Sequence, residues 1–169
     1  MFLGAKVMKK LGDTIEQTFR LAVLLLMLPI NSQAAETLQE IKQKFVGDFE
    51  LVSYFQFPEQ GDAIDMNYVG RLSYDAFGNM SGLGMPRDLP ERNRDSQERI
   101  TGGFAYWGKV SFDVDNSIVI HHVEGSPMVP EWVGGENVRH FEFSEGFLKL
   151  SLKNASGRTT GTLSWRKLP

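Results

Sequence analysis

Residues 104–153 read FAYWGKVSFDVDNSIVIHHVEGSPMVPEWVGGENVRHFEFSEGFLKLSLK, and this stretch decides the fold. Apolar and polar residues alternate with period two through 104–113, 117–125, 137–144 and 147–153, which is the pattern of half-buried strands. Between the runs stand Asp115-Asn116 and Glu145-Gly146, pairs that make tight hairpin links and so antiparallel neighbours. A two-residue turn also counts out the register. Asp115-Asn116 puts Val110 opposite His121, and Glu145-Gly146 puts Phe141 opposite Leu150 and Phe143 opposite Leu148.

The same grammar extends in both directions. Strands are expected near 47–57, 67–75, 79–85 and 160–167, with a turn at Ala76-Phe77-Gly78-Asn79 and another at Ser156-Gly157. The Ser156-Gly157 turn sets Leu150 opposite Leu163 and Leu148 opposite Trp165. Paired residues share a sheet face, so one face collects Tyr106, Val110, Phe112, Val119, His121, Val123, Phe141, Phe143, Leu148, Leu150, Leu152, Leu163 and Trp165. The other collects Lys109, Ser111, Asp113, His122, His140, Glu142, Lys149 and Ser151. On the first strand, alternation makes Phe49, Leu51, Ser53 and Phe55 the inner set. A short polar helix is expected over 36–44. Eight sequential strands without helical crossovers predict an all-β, eight-stranded antiparallel up-and-down barrel, which closes its own edges.

The first 34 residues read as a label. Lys6, Lys9, Lys10 and Arg20 form a basic leader, Leu21–Ile30 an apolar run, and Asn31-Ser32-Gln33-Ala34 has the small residues of a cleavage site. Met8-Lys9-Lys10 is itself an ordinary start for such a leader. Ten apolar residues fall short of the ~20 that span a bilayer, so a signal peptide cleaved after Ala34 is expected, with a periplasmic or secreted single domain over 35–169. Setting aside four basic residues and the acidic Asp13 and Glu16 from the totals of 18 and 21 leaves 14 basic against 19 acidic, a net charge of −5. That balance disfavours nucleic acid as a partner. With no cysteine, disulfides, thiolate metal sites and Cys nucleophiles are excluded.

With these strands in place, the residues resemble the lipocalin-like domain proteins of the wider calycin group. Gly47-Asp48-Phe49-Glu50-Leu51-Val52-Ser53 is similar to that family's opening Gly-x-Trp-x-Leu-Val-Ser, with Phe49 replacing Trp. The resemblance continues through Gly70-Arg71-Leu72-Ser73-Tyr74, Ala105-Tyr106-Trp107-Gly108, Val119-Ile120-His121-His122-Val123-Glu124, Pro130-Glu131-Trp132-Val133-Gly134 and Leu163-Ser164-Trp165-Arg166. It covers about 45–167. It implies a barrel that binds a small hydrophobic molecule, with some members acting as cyclases or isomerases instead. It also implies an Arg, Arg166 here, stacked on the aromatic ring at the barrel base.

Three polar residues interrupt the apolar face: Tyr106, His121 and Arg139. The long 126–136 segment leaves its register uncounted. Keeping Phe141 and Phe143 inside places Arg139 beside Val123, with Gly108 leaving space there. A guanidinium, an imidazole and a phenol suit a carboxylate or enolate ligand. In the enzymatic alternative His121 is the acid or base and Arg139 the oxyanion stabiliser, with Tyr106 beside them. In a purely structural alternative Arg139 pairs with an inward carboxylate and His121 donates to a backbone carbonyl. The expected ligand contacts are Tyr106, His121, Arg139, Trp132, Phe141 and Phe55; if segments 86–98 and 126–136 lie at one mouth, a point the sequence leaves open, Met128 and Trp132 cap the ligand there. His122 opposite His140, near Glu124 or Glu142, offers a zinc-like donor set without a spacing motif. No metal or cofactor is expected, no membrane span, and a monomer or weak dimer.

Overall fold

A computed structural model describes residues 36–88 and 102–169. The leader at 1–34 and most of segment 86–98 lie outside the described residues. Helix α1 (Leu38–Phe45) opens with a capping box, in which Thr37 accepts from the Glu40 backbone and Glu40 reaches back to Thr37. The strands are β1 (Gly47–Gln56), β2 (Ile64–Asp65), β3 (Tyr68–Tyr74), β4 (Asn79–Pro86), β5 (Phe104–Asp113), β6 (Ile118–Gly125), β7 (Glu136–Ser144), β8 (Phe147–Lys153) and β9 (Thr159–Lys167). Apart from the two-residue β2, which edges the end of β1, each long strand pairs with its sequence neighbours. β1 then pairs with β9 and closes an eight-stranded antiparallel barrel.

The three counted registers hold: Val110 faces His121, Phe141 faces Leu150, and Leu150 faces Leu163. At the β7–β8 link Glu145 and Gly146 both take positive φ, 55° and 81°, the conformation of the hairpin turn whose twist matches its strands. The 154–158 turn is longer than two residues. Asn154 Oδ1 accepts from the backbones of Ser156 and Arg158, and a bulge at Thr160 restores the counted pairing.

Two pairings differ from expectation. On β1 a bulge between Leu51 and Ser53 inserts Val52, so Tyr54 rather than Phe55 faces inward, opposite Leu163. Phe55 stands on the other face, between Asp65 and Thr162. On β7 the register slides by four residues. Arg139 lies opposite Val119, not beside Val123, and Asn137 lies opposite His121. An even shift preserves which residues point inward, so the sorting of faces survives while the neighbours change. It also separates the histidines. His122 pairs with Glu136, whose carboxylate is 3.2 Å from Nδ1, while His140 faces Ile118. Among the described residues no group of His, Asp and Glu comes together to hold a metal.

The barrel interior is filled at one end. Phe45 of α1 is buried and sets its ring edge-on against Tyr74, Phe112, Phe141 and Phe143, with centroids 4.8–5.3 Å apart. Beside this plug the cation over the Phe49 ring is Lys167, 5.6 Å from its centroid. Arg166, expected there, points to the outer face and donates to Glu50 at 2.8 Å. Register explains the exchange: Phe49 pairs with Lys167, and Arg166 with Glu50. Among the described residues no helix is long and apolar enough to cross a membrane.

Candidate functional site

Alternation along β5, β6 and β7 carries Tyr106, His121 and Arg139 to the barrel interior, and β3 adds Tyr74. His121 is fully buried. Its Nδ1 lies 2.8 Å from the Tyr106 hydroxyl and its Nε2 2.9 Å from the Tyr74 hydroxyl. Both ring nitrogens are therefore engaged by phenols, not by a backbone carbonyl. Burial, with the Arg139 guanidinium and His122 adding to it, pushes the His121 pKa down to about 3, so the imidazole is neutral at physiological pH. Burial raises the pKa of both Tyr74 and Tyr106, which keep their protons.

Away from the aromatic plug lies a cavity of about 110 Å³. Its apolar wall includes Leu72, Phe104, Leu150, Leu152 and Leu163, and Tyr54, Tyr106, Trp132, Arg139 and Trp165 complete the lining. Trp132 reaches it from a single 3-10 turn (Pro130–Trp132) and packs edge-on against Tyr106, centroids 5.4 Å apart. That loop is hooked back to β6 by Val123, which donates to Gly135 O and accepts from Gly134 N. β4 ends and β5 begins at the same end of the barrel as this loop.

Polar groups of the barrel interior are short of acceptors. Arg139 donates to its neighbouring Val138 carbonyl at 2.8 Å and has no carboxylate partner among the described residues. Trp165 Nε1 is buried with no acceptor, as is Asn137 Nδ2 across from His121. Buried donors without acceptors are costly and call for an explanation.

Of the expected contacts, Tyr106, Arg139 and Trp132 line the cavity. His121 sits behind Tyr106 and does not line it. Phe141 belongs to the plug around Phe45, and Phe55 faces away because of the β1 bulge. Gly108 opens no space either. A Cβ there would lie 1.9 Å from His122 O, so the glycine permits close approach of β5 and β6. Sequence reasoning missed Tyr54, displaced inward by the bulge, and Tyr74, whose burial was readable but whose partner was not. It also missed Trp165 Nε1–H, a donor carried by a residue assigned to packing.

The comparisons concern this same barrel. A family model described as a lipocalin-like domain matches residues 46–168. Among solved structures, a lipocalin-like protein from Bacteroides uniformis ATCC 8492 is 16% identical, with 73% of this chain and 98% of that one covered and a TM-score of 0.43. No curated protein matches the chain.

Proposed function

Because the chain belongs to the lipocalin-like domain family, we propose that its barrel holds one small hydrophobic molecule bearing an acid group, as a carrier or sensor rather than an enzyme. The observation that carries this is an apolar cavity whose guanidinium, that of Arg139, has no carboxylate to neutralise it among the described residues. A mostly apolar cup with a few placed polar groups is the usual form of a ligand site. The volume of about 110 Å³ compares with the ~150 Å³ engineered cavity that accepts benzene in another protein. It suits a single ring or a short chain, with any longer part of the ligand passing the Trp132 loop.

The cyclase or isomerase alternative asks His121 to trade protons with a ligand. Its pKa near 3 makes it a weak base at neutral pH, and Tyr106 stands between it and the cavity. The non-catalytic reading needs neither obstacle removed.

We propose export as well, with cleavage after Ala34. The basic leader and apolar run support it, and Thr37, the first helix cap, follows three residues later.

Native mass spectrometry of the protein isolated from its own cells tests both parts. The expected result is a chain beginning at Ala35 that carries a small mass released on denaturation. An uncleaved chain would overturn export. A bare mass, with no binding of benzoate or hexanoate, would overturn the ligand reading. Arg139→Gln should then weaken benzoate binding by roughly tenfold or more, as expected for a charged hydrogen bond.

A further inference from the structure

We propose that His121 is held as its Nδ1–H tautomer by Tyr74, and that it thereby turns the Tyr106 hydroxyl into a hydrogen-bond donor aimed at the cavity, so that the barrel selects ligands with an acceptor head group. The selection part rests on the reading of the cavity as a ligand site; the tautomer does not.

Tyr74 Oη, the imidazole and Tyr106 Oη form one unbranched chain of two contacts, 2.9 and 2.8 Å long. A neutral imidazole has one N–H and one lone pair, so the chain runs in one direction or the other. In the reverse direction Tyr106 donates to Nδ1, and Nε2–H donates to Tyr74. The Tyr74 proton then needs an acceptor of its own. Tyr74 is 3% exposed, and His121 is the hydrogen-bond partner of its hydroxyl. Its proton would be left without a partner beside the rings of Phe45 and Phe49. In the forward direction Tyr74 donates to Nε2, and Nδ1–H donates to Tyr106. Every proton but one is then satisfied. The remaining one is the Tyr106 O–H, and Tyr106 alone of the three lines the cavity. An imidazolium fares worse, since two N–H donors would leave both phenol protons without the ring as acceptor.

The other polar groups of the wall agree with this direction. Trp165 adds a buried N–H without an acceptor, and Arg139 adds a guanidinium. The residues that line the cavity thus carry donors in Tyr106, Trp165 and Arg139, which a carboxylate or a ketone would satisfy and an ammonium would not. His121 is thus a positioning residue. It acts through Tyr106, and Tyr74 sets its orientation from the closed end.

The test has two arms. Long-range ¹H–¹⁵N correlation on the labelled protein reports the tautomer directly. Nδ1 is expected in the N–H range and Nε2 in the lone-pair range, unchanged between about pH 5 and pH 8. The opposite assignment overturns the directed hydrogen bond, even where a ligand binds. This arm needs no variant, so it stands if a substitution at His121 fails to fold. In the second arm benzoate, acetophenone and benzylamine, which share one ring, are titrated against the protein and against Tyr106→Phe. Benzoate and acetophenone should bind at least about tenfold tighter than benzylamine, and Tyr106→Phe should cost acetophenone about tenfold, the equivalent of one hydrogen bond. Equal binding of all three overturns the selection. The expected tautomer with no probe bound overturns the ligand reading instead, and with it the selection.

Discussion

The Tyr74 side chain joins two parts of the barrel that the chain builds separately. Its ring takes the edge of Phe45 at 5.1 Å, and its hydroxyl lies 2.9 Å from His121 Nε2. The aromatic plug supplied by α1 and the polar chain leading to the cavity therefore meet at one residue. Closing the barrel base and orienting the imidazole are coupled by position.

Tyr74→Phe keeps the ring and the plug but removes the hydroxyl, leaving a buried ring nitrogen without its partner. The loss should be about 1–3 kcal/mol of folding stability, measured by urea denaturation. A change within about 0.5 kcal/mol, the usual range for neutral surface changes, would mean that the contact contributes nothing.

His121 makes stability depend on pH. In the folded protein it takes a proton only near pH 3, whereas in the unfolded chain it does so near 6.5. Between these values the unfolded state binds more protons, so stability falls as pH drops below about 6.5 and levels off near 3. The share of His121 is ~1.4 kcal/mol per pH unit, hence about 2 kcal/mol lost between pH 7 and pH 5. Urea unfolding at the two pH values gives the total, and His121→Gln should reduce the difference. An NMR titration that finds His121 charged at pH 5 would contradict the burial argument.

Phe45→Ala removes the ring that four other aromatics enclose. A buried Phe→Ala change should cost about 3–5 kcal/mol, read from the denaturation midpoint. The far cavity should keep its affinity for benzoate wherever the variant remains folded, because Phe45 does not line it.

Gly108→Ala and Gly125→Ala should differ. A Cβ at Gly108 meets the His122 carbonyl at 1.9 Å, which is backbone and cannot step aside, while one at Gly125 meets the Trp107 ring at 2.1 Å. Trp107 is half exposed and can rotate away. Gly108→Ala should cost about 2–3 kcal/mol, at the upper end of overpacking, and Gly125→Ala distinctly less. Equal midpoints for the two variants in thermal unfolding would refute the distinction.

Much of the fold was legible because its determinants are local. Period-two patterning and turn chemistry located all eight long strands within one residue of their observed ends, and α1 two residues early at its start. Where a tight turn joins two strands, residue counting also yields the partners, as for Val110 and His121. The candidate site was half legible. Tyr106, His121 and Arg139 stood out as polar interruptions of an apolar face, and all three are interior. The neighbours of Arg139 were not readable, because the 126–135 loop contains no countable turn and lets β7 slide by an even number of residues, while the phenol partners of His121 meet it by side-chain contacts inside the barrel that strand counting does not give.

From its own residues, then, the chain determined the barrel, its strand order and which side chains enter it, since alternation and short links act between neighbours. Only the tertiary structure decided what those side chains meet. The β1 bulge exchanges Phe55 for Tyr54, the end pairing of β1 and β9 sets Lys167 rather than Arg166 over Phe49, and the closed barrel brings Tyr74 to His121 across 47 residues. Such contacts depend on closure and on bulges, which shift partners while leaving the alternation of the sequence intact.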